Sequence, residues 1–98
     1  MRKLEREEII NLLPHGWGLV NDKLVMELQF KTFMDCIKFV DELANLAEGL
    51  QHHPDIFISY KKLRLELFTH SVKGITEKDV ELAREINKLL EKWKEKTT

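Results

Sequence analysis

The hydrophobic period of this chain switches from two to between three and four, and later does so again. Leu24, Met26, Leu28 and Phe30 alternate with a facing side that includes Lys23, Glu27 and Gln29, the pattern of a half-buried strand. Directly afterwards Phe33, Ile37, Val40, Leu43, Ala44 and Ala47 recur at helical spacing, an apolar stripe that must face a sheet or another helix. The second cycle sets Leu63, Leu65 and Leu67 against Arg64, Glu66 and Phe68, then Val80, Ala83, Ile86 or Asn87, Leu90 and Trp93 at helical spacing. Strand then helix, twice over, commits the chain to a sheet packed by helices.

Breakers and caps divide the rest. Residues 3–13 read as a short helix with Leu4, Ile9, Leu12 and Leu13 toward the core, stopped by Pro14-His15-Gly16. Trp17 to Val20 form a strand and Asn21-Asp22 a turn. Thr32 opens the second helix with Asp35 placed as a short capping box, and Gly49 and Pro54 bracket its exit. A hairpin follows, Ile56 to Tyr60 and Leu63 to Thr69, then a loop from Ser71 to Gly74. Thr76 caps the last helix, with Asp79 three positions on, and the charged tail after Trp93 is expected to fray. The order α-β-β-α-β-β-α predicts an α+β two-layer sandwich: a four-stranded antiparallel sheet with three helices on one face. Its other face must be solvated or covered by another subunit, and its two edges invite pairing.

Ninety-eight residues make one domain over positions 1–98, burying roughly 60–70% of the unfolded surface, so oligomerisation is a natural way to bury more. Sixteen basic against seventeen acidic residues leave a net charge of −1, no field to draw nucleic acid or an anionic membrane. Lys61, Lys62 and Arg64, with Glu66 among them, are too few to read DNA. Cys36 is single, no signal peptide is apparent and no apolar run nears the ~20 residues of a membrane span, so the cytoplasm is the expected compartment.

The chemistry-bearing residues form one spaced set, Glu48-x3-His52-His53-Pro54-x5-Tyr60-x9-His70-x8-Asp79, using three of the four histidines. Imidazole is the only side chain whose unperturbed pKa, about 6.5, lies near neutrality. Taken one at a time these residues have plain explanations. A loop histidine is usually solvated, Thr76 and Asp79 suit a helix cap, Glu48 a helix end, Tyr60 a strand, and Trp17 and Trp93 a core or interface. Adjacent histidines seldom ligate one ion, and no H-x3-H or C-x2-C pair accompanies them, so no metal is expected. Cys36 lies on or near an apolar stripe, where an inert thiol is expected, and Ser71 has no Gly-rich elbow. What remains is acid–base chemistry on a small ligand. Pro54 holds His53 extended, so the two neighbouring rings diverge.

As a whole this set resembles the signature of the pterin-4a-carbinolamine dehydratases, with the likeness running from about Gly16 to Trp93. The resemblance implies a lyase that eliminates water from 4a-hydroxytetrahydrobiopterin, giving quinonoid dihydrobiopterin in tetrahydrobiopterin recycling, with neither metal nor cofactor. His52 and His70 match its acid–base positions, and His53 the histidine that binds and orients substrate. Asp79 matches the motif aspartate, Glu48 the leading acid, and Trp17 a tryptophan near the pocket. The family also contains dimerisation cofactors of a homeodomain transcription factor. A non-enzymatic dimeric interaction module with a protein partner is therefore an alternative, as is the same reaction on another pterin, for instance in molybdopterin metabolism. The resemblance further implies a homodimer paired edge to edge, or a tetramer of such dimers. Two departures bear on the site: Val72-Lys73 replaces a small residue and a glycine after the histidine, and Lys61 replaces an Asn.

Overall fold

A computed structural model describes all residues, Met1–Thr98. The elements are α1 (Arg6–Leu12), β1 (Gly18–Val20), β2 (Lys23–Gln29), α2 (Phe33–Leu50), β3 (Asp55–Ser59), β4 (Lys62–Leu67) and α3 (Glu77–Glu91), with 3₁₀ turns at His70–Val72 and Lys94–Lys96. This is the expected α-β-β-α-β-β-α order. The strands form one antiparallel sheet in the order β1-β2-β4-β3, leaving β1 and β3 as edges. Asn21 and Asp22 both take positive φ, +49° and +62°, as a tight hairpin turn matching the strand twist requires.

Register makes one face apolar. Leu24, Met26 and Leu28 pair with Leu67, Leu65 and Leu63, and Ile56 and Ile58 continue the row on β3. The four-stranded sheet lays this face against the helices in one core, shared with Ile9, Phe39, Leu43, Val80, Ala83 and Ile86. The other face sets an ionic cluster beside apolar Val25 and Phe57: Arg64 bonds Glu66 and reaches Glu27, and Lys23 reaches Glu66. Arg64 holds the Glu66 carboxyl below the usual carboxylate range.

Burial shifts the stripe of α2. Cys36, Phe39, Leu43 and Ala47 are buried, whereas Phe33 and Ala44 are exposed and Ile37 and Val40 lie half-buried at the flank. Both rows are apolar, so periodicity alone points equally to either; contact with the sheet selects the row containing Phe39. Cys36 is fully buried, and burial pushes its thiol above its usual value.

Other expectations also change. Helix α1 begins at Arg6, because Glu5 caps it reciprocally with Glu8. Leu4 precedes the helix yet is buried, its N–H donating to Ile75 O, while Leu12 faces solvent. Thr32 caps α2 through Asp35 N, without a returning Asp35 bond. The tail beyond Trp93 is tied down: Lys31 N donates to Lys96 O and Thr98 N to Gln29 O, each at 2.8 Å. Tyr60 is no strand residue. It turns the β3–β4 hairpin at φ +54° and lies over Phe33, ring centroids 6.4 Å apart.

At the N-terminus the Arg2 guanidinium bonds both oxygens of Glu8 at 2.8 Å. That hydrogen bond, with the one from Glu5 N, lowers the Glu8 carboxyl from near 4.5 to about 2. Whatever stability this exposed pair adds is therefore present above pH 4.5 and fades as pH falls toward 2. In Arg2→Ala the Glu8 carboxyl, followed by ¹³C NMR, should titrate nearer the ordinary carboxylate range; an unmoved midpoint would refute the pairing.

Candidate functional site

Three elements converge on the histidine motif: the exit of α2, the end of β4 and the start of α3. Helix α2 leaves through Gln51, left-handed at φ +53°, with Gln51 N and His52 N both donating back to carbonyls of the last turn. Gly49 stays helical, so the exit residue is Gln51 rather than the glycine. Three residues later Pro54 imposes extended backbone on His53. The two imidazoles then engage different carboxylates. His52 Nε2 lies 2.6 Å from Asp79 Oδ1, while His53 Nε2 bonds Glu48 Oε2. His52 is 13% exposed, against 60% for His53. One ring is anchored inward and its neighbour stands out in water.

Asp79 is fully buried, and no buried side-chain nitrogen or oxygen lacks a hydrogen-bond partner. Its Oδ2 accepts from Thr76 N at 2.9 Å, the reciprocal half of the α3 capping box. The same oxygen accepts from Thr69 Oγ1 at 2.7 Å. One carboxylate thus both caps α3 and hydrogen-bonds His52. Burying a charge is costly unless it is paired and hydrogen-bonded, and three donors meet that condition here.

His70 follows Thr69 and opens the 3₁₀ turn. Strand parity sends Thr69 inward with Leu63, Leu65 and Leu67, and His70 to the side of Phe68, whose ring it meets edge-on at 5.1 Å between centroids. His70 is exposed. Its backbone is one residue from the network holding His52, so the end of β4 and the exit of α2 are brought together at one corner of the sheet. The loop behind it closes with Thr69 N donating to Gly74 O at 2.8 Å. Lys73 adopts φ +53° there, a conformation glycine takes without strain.

Trp17 lies apart from this network. It is buried, and its indole donates to Asn87 Oδ1 at 3.0 Å while Asn87 Nδ2 donates to His15 O at 3.0 Å. The indole joins the start of the sheet to α3 and makes no hydrogen bond to a histidine. None of the surface concavities is lined by His52, His53 or His70. His53 and His70 are exposed to solvent rather than held in a cleft.

The family model for Pterin 4 alpha carbinolamine dehydratase matches residues 2–89. The chain belongs to the pterin-4a-carbinolamine dehydratase family. Relatives include a Sulfolobus acidocaldarius protein named "Putative pterin-4-alpha-carbinolamine dehydratase", 43% identical over 89% of this chain and 98% of its own length. A Thermomicrobium roseum protein of the same name is 43% identical over 91% of this chain and 98% of its own length. Among solved structures, a transcriptional coactivator/pterin dehydratase from Brucella melitensis superposes with TM-score 0.85 at 33% identity, covering 90% of this chain and 98% of that one. A pterin dehydratase-like protein described as a RuBisCO assembly factor in the alpha-carboxysome shares the fold alone, with TM-score 0.65 at 22% identity over 76% of this chain and 89% of its own.

Two further hydrogen-bonding residues, Thr69 and Asn87, lay outside the sequence motif. Thr69 was legible from parity, since it extends the inward row of β4 by one more step. Asn87 carried only the ambiguity of sharing a helical turn with Ile86.

Proposed function

We propose that this member of the pterin dehydratase family eliminates water from 4a-hydroxytetrahydropterins, with tetrahydrobiopterin recycling as its setting. The observation that carries the reading is the pairing of His52 with buried Asp79, which aims one imidazole from a rigid support. The departing 4a-hydroxyl takes a proton from an imidazolium as the C4a–O bond breaks. The N5–H bond supplies the electron pair for the new C4a=N5 bond, and its proton passes to an imidazole. The reaction needs no net proton and no oxidant. His52 and His70, on two converging elements, are assigned this acid–base work, and imidazoles suit it because their pKa lies near working pH. His53, held by Glu48, is assigned the ligand's rim. Trp17, buried and bonded to Asn87, is assigned a supporting role.

One domain over residues 1–98 would act in the cytoplasm; no helix is long and apolar enough to cross a membrane. A homodimer or tetramer is proposed on the strength of the free β3 edge and of Phe57, Ile58, Tyr60 and Phe33, which leave apolar surface exposed.

The test is direct. Purified protein is mixed with a chemically generated 4a-carbinolamine and quinonoid dihydropterin is followed by absorbance. Dehydration should accelerate in proportion to protein concentration; a rate equal to that in buffer overturns the assignment. Repeating the assay with different side chains at ring carbon 6 identifies the preferred pterin.

A further inference from the structure

We propose that Thr69 is a positioning residue that, acting through Asp79, fixes His52 as the Nε2–H tautomer and leaves Nδ1 to exchange protons with the substrate. The proposal deepens the dehydratase reading and rests on it for the word substrate.

Proton accounting leads there. Asp79 Oδ2 already accepts from Thr76 N at 2.9 Å and from the Thr69 hydroxyl at 2.7 Å. Thr69 has a single hydroxyl proton, and it is committed to Asp79. At the 2.9 Å contact between the two hydroxyls, Thr76 is therefore the donor and Thr69 the acceptor. Thr76 Oγ1 in turn accepts from Lys78 N at 3.3 Å. All these protons run toward the carboxylate, so the chain of hydroxyls has one direction. Only Oδ1 is left to meet His52 Nε2, at 2.6 Å. An ionised carboxylate oxygen can only accept, so the proton of this hydrogen bond is carried by nitrogen. Neutral imidazole carries one N–H. With Nε2 committed to Asp79, Nδ1 holds the free lone pair, and no protein group bonds it.

Thr69 is what keeps the carboxylate from swivelling. It and Thr76 are both buried, so no bulk water replaces a lost donor. Without the Thr69 hydroxyl, Oδ2 keeps Thr76 N alone and the buried Thr76 hydroxyl loses its acceptor. Asp79 can then turn away from Nε2, and the His52 tautomer is no longer imposed.

Long-range ¹H–¹⁵N correlation of the imidazoles reads the tautomer in substrate-free protein, above the pH at which His52 becomes neutral. Wild type and Thr69→Ser should show a single Nε2–H form. Thr69→Val, which keeps shape and loses the hydroxyl, should show a mixture of tautomers, with kcat about tenfold lower and KM within about twofold, as expected for a misaimed group. Thr69→Ser should restore both readouts. In Asp79→Asn the side-chain oxygen should keep its two donors and turn its NH₂ toward His52, inverting the ring to Nδ1–H. A wild-type ring found as Nδ1–H overturns the proposal even if the variants do not fold. So does Thr69→Val with wild-type tautomer and kcat. Because the tautomer is read without pterin, wild type showing Nε2–H but no carbinolamine turnover would sink the dehydratase reading and leave the role of Thr69 in aiming the ring intact.

Discussion

Replacing His52 by Gln is expected to lower kcat for carbinolamine dehydration by about 10²–10⁴-fold, the usual contribution of a positioned acid–base group. The choice of Gln separates chemistry from support. Its terminal NH₂ can occupy the place of Nε2 and donate to Asp79 Oδ1, so the buried carboxylate keeps all three donors. Thermal unfolding should then stay close to wild type. His52→Ala removes the same chemistry but leaves Oδ1 of a fully buried carboxylate without its partner, adding a stability loss of about 1–3 kcal/mol. The two variants should therefore match in activity and differ in melting temperature. Full turnover by folded His52→Gln would remove His52 from the mechanism and leave His70 as the acid–base candidate.

The histidine motif was legible because its spacing fixes chain positions, not side-chain directions. Sequence correctly pointed to divergence of His52 and His53, since the Pro54 constraint is local. It also offered two readings of Asp79, a helix cap or an aid to a histidine, and the folded chain uses one carboxylate for both. Which histidine Asp79 would meet depended on how α2 exits, and that exit turns at Gln51, a residue with no strong left-handed preference. The position of Trp17 was out of reach for a different reason. Its partner Asn87 lies 70 residues away, and pairing across that separation leaves no periodic trace. The inward faces of β2 and β4 were read correctly because one face of each is buried, and a one-residue slip would invert every side chain. Edge strand β3 lacks that constraint, which is why Tyr60 could pass for its last residue instead of the turn that it makes.

Helix α2 supplies the second test, because its two apolar rows lead to opposite predictions. Phe39 is fully buried and joins an aromatic cluster, with ring centroids 5.3 Å from Phe30 and 6.2 Å from Trp93. The cluster fastens three separate parts of the chain: the end of β2, the middle of α2 and the segment after α3. Phe39→Ala should cost about 3–5 kcal/mol, from lost burial plus the cavity that remains. A domain of this size has about 5–15 kcal/mol in total, so the variant should be only marginally folded at best. Phe33 begins the other apolar row and is 44% exposed. Measured in dilute protein, Phe33→Ala should lose less than about 1 kcal/mol, mainly its contact with Tyr60. Urea unfolding with an unchanged m-value distinguishes the pair cleanly. Equal losses at both positions would mean that Phe33 is buried in solution too. Since the chain alone leaves Phe33 44% exposed, that burial would have to come from a second copy seated on this flank of α2. A Phe33→Ala loss growing with protein concentration would identify it.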